Sequence, residues 1–172
     1  MAVTLLRHTR PAVAPGICYG VSDVSLAESF AEECDALIRT LPEFDRIVTS
    51  PLSRCRYLAE RISAGMNRPL TEDHRLREMD FGQWEGVGWD DIPSAEIDAW
   101  AADFLHARPH GGESVAMLRA RVRMALSDLR RLDGDSLVVT HAGVIKVALA
   151  ADDTAESHAE AIGFGGFVTL IE

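Results

Sequence analysis

Arginine and histidine stand close behind three segments of the chain that are typical of buried strands. Arg7 and His8 follow the first segment, Arg54 follows the second and His141 follows the third. In an open α/β sheet, ligands bind in the crevice at the carboxyl ends of the strands. We therefore expect these four side chains to converge on one ligand site.

The ligand that suits these side chains is an anion. Arg7 and Arg54 each present a planar fork of N–H donors, which matches a phosphate or a carboxylate. Ser50 and Pro51 are residue types that begin a helix, and a helix starting there would add free backbone N–H groups and the positive end of its dipole. The sequence predicts a pocket for a phosphoryl dianion.

His8 is the candidate nucleophile toward that group, because no hydroxyl or thiol lies in a recognisable nucleophile motif. A neutral imidazole attacks phosphorus, and fixed positive charges nearby favour its neutral form. The departing alkoxide needs a proton, and Glu78 lies in a loop within reach of the site. Asp80 is the alternative acid.

The elements that must position these residues alternate along the chain. Their periodicity predicts strands over 3–7, 46–49, 136–140 and 167–171, and helices over 26–41, 52–66, 95–104, 115–129 and a stretch after His141. Ser25 with Glu28 forms a capping box for the first helix, and Ser114 caps the fourth. This alternation predicts an α/β fold, with a mostly parallel sheet covered by helices on both faces.

The length of 172 residues fits a single domain, residues 1–172, and no linker divides it. Residues 86–112 contain proline, paired glycines and two of the three tryptophans, so we expect them to form a lid-like excursion over this domain. The sequence carries no signal for the oligomeric state.

Composition argues against a nucleic-acid partner, a membrane segment and secretion. The formal charge of −10 repels polyanions, so no nucleic-acid partner is expected. No apolar stretch reaches the roughly 20 residues that span a bilayer, and the N-terminus is too short of apolar residues for a signal peptide. An odd number of cysteines without metal-ligand spacing indicates a reducing compartment and no zinc: Cys18, Cys34 and Cys55. We expect a cytoplasmic protein.

Six motifs, in order, resemble the histidine phosphatase superfamily, and in particular its phosphoglycerate-mutase-like branch and the alpha-ribazole phosphatase type within it. They are Arg7-His8-Thr9, Cys18-Tyr19-Gly20-Val21-Ser22-Asp23, Ser50-Pro51-Leu52-Ser53-Arg54-Cys55, Leu76-Arg77-Glu78 with Phe81-Gly82-Gln83-Trp84-Glu85-Gly86, Gly112-Glu113-Ser114 and Thr140-His141-Ala142-Gly143. The resemblance runs from residue 3 to about residue 147.

This resemblance implies a three-layer α/β/α fold and a transient phosphohistidine on His8, with Glu78 as the proton donor. It implies neither a metal nor another cofactor. The residues it assigns to the substrate are Arg7, Thr9, Tyr19, Gly20, Arg54, His141 and Ala142. The expected activity is hydrolysis of a small phosphorylated metabolite, with alpha-ribazole phosphate as one candidate. The alternatives are a mutase-type phosphotransferase and a module that binds phosphorylated ligands without turnover.

The sequence departs from the family pattern at several positions. Thr9 stands in place of the usual glycine after the nucleophile, and its hydroxyl is a further phosphate donor. Ala14 replaces an asparagine of mutase-type members, Leu58 replaces a common threonine, and the chain after His141 is short. The substitutions at 14 and 58 remove one donor from the pocket, and the short lid and C-terminal part argue against mutase-type transfer.

Other conspicuous residues are expected to be structural. The three tryptophans, Trp84, Trp89 and Trp100, are assigned mainly to packing, with ligand contact as the alternative. His106 and His110 have a helical metal spacing, but Pro109 between them predicts a loop. The cysteines are assigned to packing.

Overall fold

The computed structural model describes residues 1–171, so Glu172, the last residue of the expected single domain, lies outside the described residues. Its strands are β1 Ala2–Arg7, β2 Arg46–Thr49, β3 Leu70–Glu72, β4 Ser136–Thr140 and β5 Phe167–Ile171. They form one sheet in the order β3-β2-β4-β1-β5. Only β5 is antiparallel to its neighbour, which confirms the mostly parallel sheet. The short edge strand β3 was not predicted.

The helices are α1 Phe30–Ile38, α2 Ser53–Met66, α3 Ser94–Ala102, α4 Val115–Leu129 and α5 Ala142–Leu149. Successive strand residues face opposite sides of the sheet, so Leu5 and Leu6 of β1 enter different cores. Leu6 packs with the buried side chains of α1 and α2, whereas Leu5 packs with those of α4 and α5. The three-layer α/β/α architecture is therefore confirmed.

The register of the parallel strands aligns their carboxyl ends. Arg7 of β1 pairs with Thr140 of β4, and Thr49 of β2 pairs with Val139 of β4. The ladder continues one residue beyond two of the strands, since the backbone N–H of His8 donates to the Thr140 carbonyl at 2.9 Å and that of Ser50 donates to the Val139 carbonyl at 2.9 Å. The residues that follow these strands are consequently brought to one edge of the sheet.

The predicted start of the first helix is wrong. The helix α1 begins at Phe30, and its N-cap is Ser29 rather than Ser25. The Ser25 carbonyl instead accepts the backbone N–H of Ala12, beside an isolated bridge between Pro11 and Leu26. This pairing holds the chain extended, which is incompatible with a capping box at Ser25.

The predicted start of the second helix is also wrong. The helix α2 begins at Ser53, with Leu52 as its N-cap, because Ser50 still belongs to the hydrogen-bond ladder of the sheet. The first N–H of this helix is not free for an anion, since the backbone N–H and the hydroxyl of Ser53 both donate to Asp23 Oδ1, at 2.9 and 2.7 Å. By contrast, the Ser114 cap of α4 is confirmed, with its hydroxyl accepting the Met117 N–H at 3.1 Å.

Residues 86–112 contain a short 3₁₀ turn at Trp89–Asp91 and the helix α3. This helix ends at Ala102, two residues before the predicted end, and His106 and His110 lie in the loop that follows, as predicted. Within residues 1–171, no helix has both the length and the apolar character needed to cross a membrane.

The three cysteines are free and buried, in agreement with their assignment to packing. Burial raises the pKa of the Cys34 thiol to about 11 and that of the Cys18 thiol to about 12. Both thiols are therefore protonated at neutral pH, which suits a packing role.

Candidate active site

The His8 ring lies just beyond β1 and is only 2% exposed. Its Nδ1 is 2.7 Å from the backbone carbonyl of Thr9. Because a carbonyl oxygen only accepts hydrogen bonds, Nδ1 must carry the proton in this contact. In the neutral ring, the lone pair is then on Nε2, the opposite nitrogen, which is the atom available for attack.

The surroundings of His8 favour this neutral ring. Burial, followed by the positive charges of Arg54 and Arg7, lowers the pKa of His8 from 6.5 to about 3. Desolvation and neighbouring cations both disfavour the imidazolium ion. The ring is therefore uncharged at neutral pH, as a nucleophile must be.

The second histidine of the site, His141, is fully buried next to His8, with 5.3 Å between the ring centroids. Its Nε2 lies 2.7 Å from the hydroxyl of Ser50 and 3.4 Å from the thiol of Cys55. Burial, then the charge of Arg54 and the proximity of His8, lowers the pKa of His141 well below its usual value. This histidine is consequently a neutral hydrogen-bonding group.

Arg7 is held in place by a hydrogen bond from its Nη1 atom and by stacking of its guanidinium group on an aromatic ring. Its Nη1 donates to the backbone carbonyl of Ile162 at 2.6 Å, and its guanidinium carbon lies 3.9 Å from the centre of the Phe164 ring. Its Nε is buried and has no hydrogen-bond partner among the described residues. This N–H is therefore an unused donor on a residue that lines the cavity described below.

Arg54, the second arginine, is fully buried and binds the protein backbone. Its Nη1 donates to the Ser22 carbonyl at 2.8 Å and its Nη2 donates to the Gly20 carbonyl at 2.5 Å. The sequence had assigned this fork to the ligand. In the structure it holds the loop 20–22, and only its buried Nε lacks a partner among residues 1–171.

The loop 20–22 is held from its other side by Glu85. The two carboxylate oxygens accept the backbone N–H groups of Gly20, Val21, Ser22 and Phe81, and the hydroxyl of Ser22, over 2.6 to 3.4 Å. A side chain at Gly20 has no room here, since its Cβ would lie 1.8 Å from the Met79 carbonyl oxygen. Gly20 was expected to contact the substrate. In the structure its backbone N–H donates to Glu85 and its carbonyl accepts from Arg54.

The expected acid, Glu78, lies in the loop after β3 and is 9% exposed. Its Oε1 accepts the N–H of Met79 at 2.9 Å, and its Oε2 accepts the N–H of Gly143 at 3.1 Å, at the start of α5. A Cβ added at Gly143 would lie 2.2 Å from Glu78 Oε1, so any larger residue at 143 would displace this carboxylate. The alternative acid, Asp80, accepts the N–H of Gly82 at 2.8 Å, a local turn contact.

A cavity of about 440 Å³ opens in front of these groups. Arg7, His8 and Glu78 line it together with two of the expected substrate contacts, Tyr19 and Ala142. Thr9 is 1% exposed and is not among the lining residues, and its hydroxyl has no partner among the described residues. Among residues 1–171, no three His, Cys, Asp or Glu side chains are grouped as they would be around a metal ion.

Sequence reasoning missed several residues of this site. Glu85 was given no role of its own, and Ser50 was assigned to the start of a helix rather than to a contact with His141. Neither contact is local: Glu85 is 65 positions from Gly20 and Ser50 is 91 positions from His141. Only the presence of Glu85 in the motif at 81–86 gave any signal.

The aromatic side chains have mixed roles. Trp84 is 2% exposed, as expected for packing, and its Nε1 donates to Glu96 at 2.7 Å. Trp89 and Trp100 instead line the cavity, as does Phe104. Two of the three tryptophans therefore lie where a ligand in the cavity would meet them, and ligand contact stays a prediction for these two.

Comparison with known proteins places this architecture in a family. The model of the histidine phosphatase superfamily (branch 1) matches residues 3–163. The chain therefore belongs to this superfamily, and the expected resemblance is confirmed.

Its relatives include phosphatases. The chain is 32% identical over 163 residues to the adenosylcobalamin/alpha-ribazole phosphatase of Salmonella typhimurium, covering 87% of this chain and 78% of the relative. It is 28% identical over 145 residues to phosphoserine phosphatase 1 of Hydrogenobacter thermophilus, covering 78% and 67%. A mycobacterial glucosyl-3-phosphoglycerate phosphatase superposes with a TM-score of 0.83 and 26% identity, covering 99% of this chain and 89% of that structure. The expected enzyme class, a hydrolytic histidine phosphatase, is confirmed.

Proposed function

We propose that this enzyme is a metal-independent phosphomonoesterase that works through a phosphohistidine on His8. The observation that carries the proposal is the hydrogen-bonded His8 ring, whose Nδ1 faces the Thr9 carbonyl at 2.7 Å while burial and two guanidinium groups keep it neutral. This arrangement leaves Nε2 free to attack phosphorus.

In the first step, Nε2 of His8 forms a bond to phosphorus while the bond between phosphorus and the ester oxygen breaks. The leaving oxygen takes a proton from the carboxyl group of Glu78, which lines the same cavity. In the second step, the Glu78 carboxylate removes a proton from water, whose oxygen attacks the phosphohistidine. Inorganic phosphate leaves, and both side chains return to their starting forms.

The phosphoryl oxygens need donors that the protein does not already use. Three of the buried donors without a partner belong to His8's neighbour in the chain or to the two arginines that act on its charge: the hydroxyl of Thr9, the Nε of Arg7 and the Nε of Arg54. We assign them to the oxygens that gain charge as phosphorus is transferred, where donors fixed in advance stabilise the transition state. His141 joins them in this proposal by exchanging the contact of its Nε2 with the Ser50 hydroxyl for one with a phosphoryl oxygen.

The substrate we propose is a small phosphorylated metabolite, with alpha-ribazole phosphate as the first candidate. Two observations support it: the 32% identity to a phosphatase named for that substrate, and the aromatic walls of the cavity. The segment 86–112, expected to be a lid-like excursion, supplies Trp89, Trp100 and Phe104 to these walls. We propose that it shields the transferring group from bulk water.

Rapid-quench kinetics test the mechanism. With p-nitrophenyl phosphate labelled at phosphorus, the wild type should show a burst and an acid-labile, base-stable phosphoenzyme. His8→Gln should form none, whereas the exposed His74→Gln should behave as the wild type. A His8→Gln enzyme with normal turnover would overturn the proposal.

A substrate panel tests the finer assignment. Alpha-ribazole phosphate should give a higher kcat/KM than phosphoserine or glucosyl-3-phosphoglycerate. Phosphate release distinguishes hydrolysis from phosphoglycerate isomerisation, and tight binding without release from any ester would point to a non-catalytic module.

A further inference from the structure

Beyond its phosphoryl end, the cavity is walled by side chains with no task in the proposed mechanism. We call this part the ring pocket, and its residues are Trp89, Trp100, Phe104, Val115, Leu118 and His158. Five of the six are hydrophobic side chains. A wall of this kind suits a flat apolar group, because it replaces water around that group with close contacts.

His158 is the polar exception, and its hydrogen bonding is incomplete. The residue is 5% exposed, and its Nδ1 lies 2.7 Å from the carbonyl oxygen of Thr154. The carbonyl can only accept, so Nδ1 carries the proton and Nε2 of the neutral ring is an acceptor. This Nε2 is buried without a partner among residues 1–171. The Nε2 atom of His158 is therefore an acceptor whose hydrogen bond is not made within the described protein.

Trp100 adds a donor to the same pocket. Its indole N–H is buried and has no hydrogen-bond partner among the described residues. Its ring lies 6.2 Å from Phe104, and the other neighbour of Phe104 is His158, at 5.2 Å between ring centroids. A free donor and a free acceptor thus flank one aromatic ring on the cavity wall.

From this arrangement, which rests on the proposed phosphatase activity, we infer that the leaving group is an alcohol carrying a flat apolar ring and a hydroxyl group. The ring packs against the apolar walls, and the hydroxyl donates to His158 Nε2 or accepts from Trp100 Nε1, since a hydroxyl does both. A polar group buried without a partner is unfavourable, so a ligand that satisfies these two atoms is selected over one that does not. Open-chain polyols lack the ring and are poor fits.

Three primary phosphate esters test the inference with leaving groups of similar basicity. They are 2-(6-hydroxy-2-naphthyl)ethyl phosphate, 2-(2-naphthyl)ethyl phosphate and glycerol 3-phosphate. The wild type should prefer the hydroxylated ring ester over the plain ring ester by about 10-fold in kcat/KM, the size of one satisfied buried hydrogen bond. Glycerol 3-phosphate should be the worst of the three.

The variant His158→Phe keeps an aromatic ring and removes the acceptor. It should lose most of the preference for the hydroxylated ester, measured as the ratio of kcat/KM for the two ring esters within the same variant. Trp100→Phe, which removes the donor, should reduce the preference as well. If glycerol 3-phosphate equals the ring esters, or if His158→Phe and Trp100→Phe both keep the full preference, the inference is overturned.

Calorimetry separates this inference from the proposed function. The two free alcohols, which contain no phosphate, should bind the wild type with the same preference for the hydroxylated ring, and His158→Phe should abolish it. This preference without any phosphoenzyme would overturn the proposed mechanism and leave the ring pocket in place. A phosphoenzyme without this preference would overturn the ring pocket alone.

Discussion

Glu85 and Arg54 hold the same loop from opposite sides. The carboxylate of Glu85 accepts the backbone N–H groups of residues 20–22, and the guanidinium of Arg54 donates to the carbonyls of Gly20 and Ser22. The loop is thus a backbone bridge between an acid that lies outside the cavity and a cation whose charge keeps His8 neutral. The position of Arg54 depends on Glu85 through this bridge.

We expect Glu85→Gln to damage both stability and catalysis. Each carboxylate oxygen accepts two backbone N–H groups, and an amide NH₂ in the place of one oxygen cannot accept, so two N–H groups lose their partner, at a cost of about 2 kcal/mol. A loop displaced from Arg54 should lower kcat/KM about 10- to 100-fold, as small displacements near a reacting group do. Urea unfolding and steady-state kinetics measure the two effects. The matched control is Glu72→Gln, at an exposed carboxylate; equal behaviour of the two variants would contradict the bridge.

Gly143→Ala should disable the acid without unfolding the protein. The added Cβ would lie 2.2 Å from Glu78 Oε1, so the carboxyl group must move. Loss of the proton donor should slow an alkyl phosphate, whose alkoxide needs the proton, by about 100-fold or more, and p-nitrophenyl phosphate far less.

The control for this variant is Gly65→Ala in α2, where the nearest atom to the new Cβ is 3.7 Å away. It should leave both activities intact and stabilise the helix by up to about 1 kcal/mol. Equal losses on both esters in Gly143→Ala would show that Glu78 is not the proton donor.

The sequence was informative where a short segment determines its own structure. The strand 136–140 was predicted to the residue, and so was the Ser114 cap, because both depend on adjacent residues. The convergence of Arg7, His8 and His141 followed from one rule about strand ends. These features need no knowledge of distant contacts.

The starts of α1 and α2 and the composition of the ring pocket depend on contacts between segments that are distant in the sequence. The pairing of residues 11 and 26 displaces the start of α1, and the sheet ladder at Ser50 displaces that of α2. The ring pocket could not be predicted either, since His158 and Trp100 meet only through Phe104 in the folded chain. Local patterns contain no information on such pairings.

The corrected helix start gives a direct test of the fold. Ser114→Ala should cost about 1 kcal/mol, because it removes the oxygen that accepts the Met117 N–H. Ser25→Ala should cost nothing measurable, since the exposed Ser25 uses only its backbone carbonyl. Urea denaturation of both variants checks this, and a loss of similar size in Ser25→Ala would restore the capping box.

Stability should fall as the pH is lowered from about 6.5, where an unfolded histidine begins to take up a proton. The folded His8 does not do so until about pH 3. The unfolded state therefore binds more protons in this window, so folding is weakened by up to about 1.4 kcal/mol per pH unit per such histidine. His141, whose pKa is also lowered, adds to the slope.

The measurement is the free energy of unfolding between pH 7.5 and about 4.5, above the range in which carboxylates protonate. His8→Gln should flatten the profile by up to about 1.4 kcal/mol per pH unit, because one histidine with a lowered pKa is removed. A profile with the wild-type slope would mean that His8 takes up its proton in the folded state as readily as in the unfolded state.

Thr9 and Thr140 are both buried threonines at the site edge of the sheet, but only Thr140 uses its hydroxyl, which donates to the Leu76 carbonyl at 2.8 Å. Thr140→Val should therefore cost about 1–2 kcal/mol, whereas Thr9→Val should leave stability equal or slightly higher, since it removes an unpartnered hydroxyl. If that hydroxyl awaits a phosphoryl oxygen, Thr9→Val should weaken inhibition by vanadate about 10-fold. Unchanged inhibition, with stability also unchanged, would remove Thr9 from the phosphate site.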